Sequence, residues 1–145
     1  MSGYILIELL GHPKGKGRPR MTKTGIAYTP KETRDYEGTL RVQAMRIMQG
    51  QSRNPFQGAL RVQVTAHMAI PRSWAKWLQG AAKDGLVHPT TRPDADNIVK
   101  MLDGLNGVVW RDDAQIVDVR VLKLYSERPR LVVEVTEIAE QRRAE

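Results

Sequence analysis

Cysteine is absent from this 145-residue chain. That excludes disulfides and thiolate metal sites and agrees with a reducing compartment. Histidine is almost as scarce: His12, His67 and His88 show no H-x-x-x-H spacing, so the usual helical zinc arrangement is not expected. No apolar run approaches the roughly 20 residues that span a bilayer, and the opening MSGYILIELLG alternates as a strand and lacks the form of a signal peptide. A cytoplasmic protein with no membrane partner is expected. Aromatic residues number only eight, few for a sugar-binding cleft. Acids are also in the minority, sixteen Asp and Glu against twenty-three Lys and Arg.

What is present suits a globular chain. Hydrophobic residues make up 41% and charged residues 27%, and a chain of this length buries about two-thirds of the surface that its unfolded form exposes. One domain over residues 1–145 is expected, without repeats; only 139–145, ending QRRAE, reads as a frayed tail. The net charge of +7 and a sequence pI near 10.0 point to a polyanionic partner, most often nucleic acid.

Periodicity places the elements. Tyr4 to Leu10 reads as a strand, and Thr29 to Gln49 as a helix with the capping box T-P-K-E at Thr29 to Glu32, an apolar face of Tyr36, Leu40, Ala44 and Ile47, and Gly50 as its stop. Leu60 to Ile70 alternates as a half-buried strand that Pro71 ends. Ser73 is the candidate cap of a short helix through Trp74 and Trp77. Asp94 or Asp96 caps a third helix to about Leu105, with Ile98, Met101, Leu102 and Leu105 as its stripe. Two strands follow, Ile116 to Tyr125 and Arg130 to Glu137, joined by the turn S-E-R-P. The expected fold class is α+β, an α/β sandwich with a mixed four-stranded sheet and about three helices.

Six of the sixteen acids fall between Asp94 and Asp118, in an otherwise basic chain. Taken singly each has a plain reading. Asp94 or Asp96 caps a helix, Asp96 and Lys100 form an i, i+4 ion pair, and Asp112-Asp113 is a solvated turn. Jointly they suit other chemistry. Two carboxylates about 5 Å apart repel by roughly 3 kcal/mol at an effective dielectric near 20, so a folded cluster needs a proton, a cation or solvent. Oxygen ligands suit Mg²⁺ or Mn²⁺, and such a site activates water for phosphodiester hydrolysis. Lys100, one turn along from Asp96, would bring a cation to the charge that develops on phosphorus or on the leaving oxygen.

Thr91 to Asp118, TRPDADNIVKMLDGLNGVVWRDDAQIVD, resembles the core signature of the RusA-type Holliday-junction resolvases: x-P-D-x-D-N-x-x-K, then D-x-L-N-G, then D-D-x-Q. The resemblance extends in order to PKGKGRPR at Pro13 to Arg20, YTPKETRDYE at Tyr28 to Glu37 and PRSW at Pro71 to Trp74, and so covers most of the chain. It implies a homodimeric, Mg²⁺-dependent crossover junction endodeoxyribonuclease, intracellular and bacterial or phage-encoded, that cuts four-way DNA junctions symmetrically. Mn²⁺ is the expected substitute metal, and no nucleotide cofactor is implied. Asp94, Asp96 and Asp113 then match the metal-binding carboxylates, with Asp112 as an alternative ligand, and Lys100 matches the catalytic lysine. Asn97 and Gln115 are supporting residues, the first orienting a carboxylate and the second holding the D-D turn.

Residues 11–29 carry five Lys or Arg and no acid, a length that in a compact domain marks a functional or a disordered loop. Beside phosphodiester chemistry, Lys14, Lys16, Arg18, Arg20 and Lys23 become phosphate contacts, with the loop glycines admitting a close backbone approach. Trp74, Trp77 and Trp110 are expected in the core or a dimer interface, not as stacking platforms. Two rivals stay open: a non-catalytic DNA- or RNA-binding protein, and a metal-dependent ribonuclease.

Overall fold

Four long strands form one mixed sheet in the computed structural model, which describes residues 3–140. They are β1 (Tyr4–Leu10), β4 (Leu60–Ala69), β5 (Ile116–Ser126) and β6 (Arg130–Glu137), in the order β1-β6-β4-β5. β6 runs antiparallel to both its neighbours, whereas β4 and β5 are parallel. The register aligns the alternating apolar residues into rows: Ile5, Val135 and Val62; Ile7, Val133 and Val64; Leu9, Leu131 and Ala66. Because side chains alternate across a strand, each row faces the same side, and every member of the three is buried.

That side is covered by α1 (Lys31–Gly50), through Leu40, Ala44 and Met48, and by the segment from α3 (Ala95–Lys100) to Trp110. The stripe Ile98, Met101, Leu102 and Leu105 is wholly buried, although the helix tightens after Lys100 into a 3₁₀ turn, Met101–Leu105. The other side of the sheet carries no described helix: Tyr4 and Leu6 are exposed, Val132, Leu122 and Leu124 are half-buried, and Thr65 at its centre is buried. The architecture is therefore the expected two-layer α+β sandwich, with a third helix, α2 (Lys76–Lys83), beside β5.

Three local expectations are corrected. No capping box forms at Thr29, because α1 starts at Lys31 with Pro30 at the cap position (φ −55°, ψ 144°) and without a side-chain cap; proline also holds the residue before it in extended conformations. Gly50 is the helix's last residue, and Ser52 (φ 51°) takes the left-handed turn beyond it. Ser73 does not cap α2, whose cap position is Ala75. Trp74 instead meets Tyr125 edge-on, 5.2 Å between ring centroids. Trp110 is buried, a core place as expected, whereas Trp77 is exposed and so lies outside the core. The expected tail falls outside the described residues from 141 onward. No described helix is long and apolar enough to cross a membrane.

Candidate active site and nucleic-acid interface

The basic loop is ordered by what it packs on. Its outer half is a small hairpin of β2 (Arg20–Met21) and β3 (Ala27–Tyr28), closed where Thr22 Oγ1 accepts from Ile26 N at 3.0 Å and Gly25 takes φ 83°. Its inner half lies against two helices. Lys16 N donates to Asn97 O at 2.8 Å, and Gly17 N donates to Thr33 Oγ1 at 3.0 Å. A Cβ on Gly15 would stand 2.8 Å from Pro93 Cβ and 3.0 Å from Asn97 Cβ. The glycines thus permit close approach to the protein's own helices, where the sequence suggested approach to phosphate.

Between this loop and the start of α3 runs a groove of about 680 Å³, lined by Lys14, Arg18 and Arg20 from the loop, by Glu32 and Thr33 from α1, and by Arg92, Asp94 and Asn97. Lys23 sits outside it, on the hairpin tip between β2 and β3. Lys16 lines the groove, but its ammonium is drawn to Asp103 Oδ2 at 3.1 Å and Glu37 Oε2 at 3.6 Å. Burial opposes its charge, yet those two carboxylates outweigh it and raise the Lys16 pKa. The Tyr36 hydroxyl is buried under the loop, and burial pushes its pKa up to about 12 against the lowering influence of the Lys14 backbone.

Asp94 occupies the N-cap position of α3 with extended backbone (φ −71°, ψ 150°), yet its carboxylate accepts no capping bond. The capping role therefore does not explain it, and an exposed carboxylate remains on the wall of a basic groove. Asp96 and Lys100 do form the i, i+4 pair, at 3.8 Å with both side chains well exposed, a contact worth roughly 0.3 to 0.5 kcal/mol. Asn97 binds the loop through its backbone carbonyl.

The D-D turn is built more firmly. Asp112 caps the 3₁₀ turn Asp113–Gln115, with its Oδ1 accepting from Ala114 N at 2.9 Å. Gln115 Oε1 accepts from Arg111 N at 2.8 Å and Asp112 N at 3.0 Å, while its Nε2 donates to Phe56 O at 2.8 Å and Gly58 O at 3.0 Å. The Ala114 N–H, and then a hydrogen bond with Asp113, hold the Asp112 carboxyl below its ordinary pKa; that same bond pushes Asp113 up, and the nearby charge of Asp103 adds to it. One of this carboxyl pair is therefore the readier to keep a proton or meet a cation.

The donor set suits a hard divalent cation: exposed carboxylate oxygens with no soft ligand among them. Among the described residues no three acids or histidines are gathered as a ready metal cage. Mg²⁺ commonly takes only one or two carboxylates and draws its remaining ligands from water and substrate phosphate, so one or two of these carboxylates suit such an ion, whereas Asp94, Asp96 and Asp113, the three ligands the sequence suggested, are not gathered into one cage.

Glu37, Asp103 and Thr33, which anchor the loop, are not singled out by the sequence reading. Nor is Arg41, whose Nη1 donates to Gly104 O at 3.0 Å and Asn106 O at 2.9 Å and so ties α1 to the N-G turn. The one signal in the sequence was that Glu37 and Asp103 lie within the runs YTPKETRDYE and D-x-L-N-G.

Comparison with known proteins agrees with this geometry. The chain is 32% identical over 141 residues to the uncharacterized protein YqaN of Bacillus subtilis (strain 168), an alignment spanning 93% of this chain and 97% of that one. A family model described as endodeoxyribonuclease RusA matches residues 11–136, from the basic loop through α3 and the D-D turn to β6. On that match the chain belongs to the RusA endodeoxyribonuclease family.

Proposed function

We propose that the protein resolves four-way DNA junctions by Mg²⁺-dependent phosphodiester hydrolysis, cutting two strands symmetrically as a homodimer. The observation that carries this reading is Asp94: a carboxylate at a helix start that caps nothing, in a groove lined by the basic loop. Lys14, Arg18 and Arg20 bind successive phosphates and fix the register of the strand, with Lys23 reaching the backbone from the hairpin tip. Asp94, Asp96 and Asp113 would hold Mg²⁺, or Mn²⁺ in its place, with Asp112 as the alternative ligand. The bound ion supplies Lewis-acid charge at a phosphoryl oxygen and makes water a competent nucleophile near neutral pH. Lys100 brings its ammonium to the leaving oxygen, where it acts more strongly in the transition state than in the bound substrate. Gln115 holds the turn that presents Asp112 and Asp113.

Purified protein incubated with a synthetic four-way junction, a linear duplex and structured RNA, with Mg²⁺ or with EDTA, tests this reading. Paired cuts in the junction that need Mg²⁺ are expected. Cleavage of RNA alone would make it a ribonuclease, and binding of every substrate without cleavage would leave only a nucleic-acid-binding protein.

The dimer follows from symmetry and from the open side of the sheet. A junction is cut in two strands related by a two-fold axis, whereas one chain offers one acidic cluster. An isologous C₂ interface presents the same patch from both copies, and Leu6, Leu122, Leu124 and Val132 supply an apolar patch that no described element covers. Sedimentation at micromolar concentration is expected to give twice the chain mass, and Leu6→Glu with Leu124→Glu to give the monomer. A double variant that remains a dimer would move the interface elsewhere.

A further inference from the structure

Of the five basic residues in the loop, Lys16 alone is ion-paired among the described residues. Its two partners come from separate elements, Glu37 from α1 and Asp103 from the 3₁₀ turn after α3. The backbone on both sides is pinned as well, Lys16 N to Asn97 O and Gly17 N to Thr33 Oγ1, while Gly15 packs where a Cβ would clash with Pro93. Around Lys16 the loop is therefore held by side chain and main chain together, whereas Lys14, Arg18 and Arg20 remain exposed.

We infer that Lys16 is a positioning residue and not a phosphate ligand: its ammonium, between Glu37 and Asp103, latches the basic loop onto α1 and the turn after α3, and so sets where Arg18 and Arg20 meet the DNA. A phosphate could recruit this ammonium only by drawing it away from two carboxylates. Only the DNA half of the test rests on the nuclease reading.

The first half uses the free protein. Amide hydrogen exchange across residues 13–20 should quicken in Lys16→Met and in Glu37→Gln, by about two- to five-fold for each ion pair lost, with Lys16→Arg restoring much of the protection. Unchanged exchange in both variants would overturn the latch. The second half measures junction binding against salt. Lys16→Met should keep the slope of log affinity against log salt, whereas Arg18→Ala should lose about 0.9 for its phosphate contact.

Glu37→Gln separates the two roles. A latch predicts an unchanged salt slope, because no phosphate contact is added; a phosphate-binding lysine released from its acid predicts tighter binding with a slope steeper by about 0.9, and that result would overturn the inference. Should the unaltered protein neither bind nor cut junctions, the nuclease reading fails while the exchange result still decides the latch.

Discussion

Asp94→Asn is expected to lower junction cleavage by about 100-fold or more while binding stays equal or tightens. The tightening follows from charge, since one negative group facing phosphate is gone. Thermal stability should not change. A true N-cap aspartate loses little when replaced by Asn and about 1 kcal/mol when replaced by Ala, but the Asp94 carboxylate accepts no bond from the helix, so Asp94→Ala should also be nearly neutral. Cleavage that survives in Asp94→Asn would remove Asp94 from the site, and a clear melting-temperature loss in Asp94→Ala would return it to capping. Lys100→Ala should slow the single-turnover rate with little change in affinity, because its contact with Asp96 is long and exposed. An affinity loss at constant rate would make Lys100 a binding residue only.

Gln115 carries the second large effect. Its side chain closes four hydrogen bonds, two holding the amides ahead of the D-D turn and two anchoring that turn to Phe56 and Gly58. Gln115→Ala gives up all four at about 0.5 to 1.5 kcal/mol each, a destabilisation of roughly 2 to 6 kcal/mol. Gln115→Glu is the finer probe, since it keeps an acceptor for Arg111 N and Asp112 N but cannot donate to the two carbonyls. Cleavage should fall by about 10-fold or more in both variants, measured at a temperature where each is folded, because a loosened turn no longer holds its carboxylates in a reacting geometry. Full activity in Gln115→Ala would show that the turn needs no such support.

The regular elements were readable where apolar residues repeat with a clear period. Leu60, Val62, Val64, Ala66 and Met68 declare a strand, and Ile98, Met101, Leu102 and Leu105 a buried stripe, because period and burial have the same cause. Thr29 and Ser73 misled because a cap depends on where the chain turns, and Pro30 and the Trp74–Tyr125 contact settle that through tertiary packing. The β2–β3 hairpin was invisible because two-residue strands carry no period.

At the site, residue types could be read and their partners could not. Asp96 and Lys100 are four apart on one helix, and the sequence alone pairs them. The ion pair of Lys16 was illegible because Asp103, its acid, lies 87 residues away. Gln115 was read as the support of its turn, but the carbonyls it reaches belong to Phe56 and Gly58, which no local pattern links to it.

The strand order bears on how such a chain reaches its fold. β6 comes last in sequence but lies inside the sheet, between β1 and β4, and Tyr4 stands opposite Thr136. During synthesis β1 waits with no neighbour while β4 and β5 pair, and the flank of β4 carrying Val62 and Val64 stays open to other chains until the final strand leaves the ribosome. Closing a loop of about 130 residues costs about 4 kcal/mol beyond a constant, to be met at once by the pairing of β6 on both its sides. Truncation ahead of β6 would remove two strands' worth of pairing, since β1 pairs with no other strand among the described residues. A nascent or clipped chain is then an aggregation hazard, and a chaperone's target, until its last element arrives.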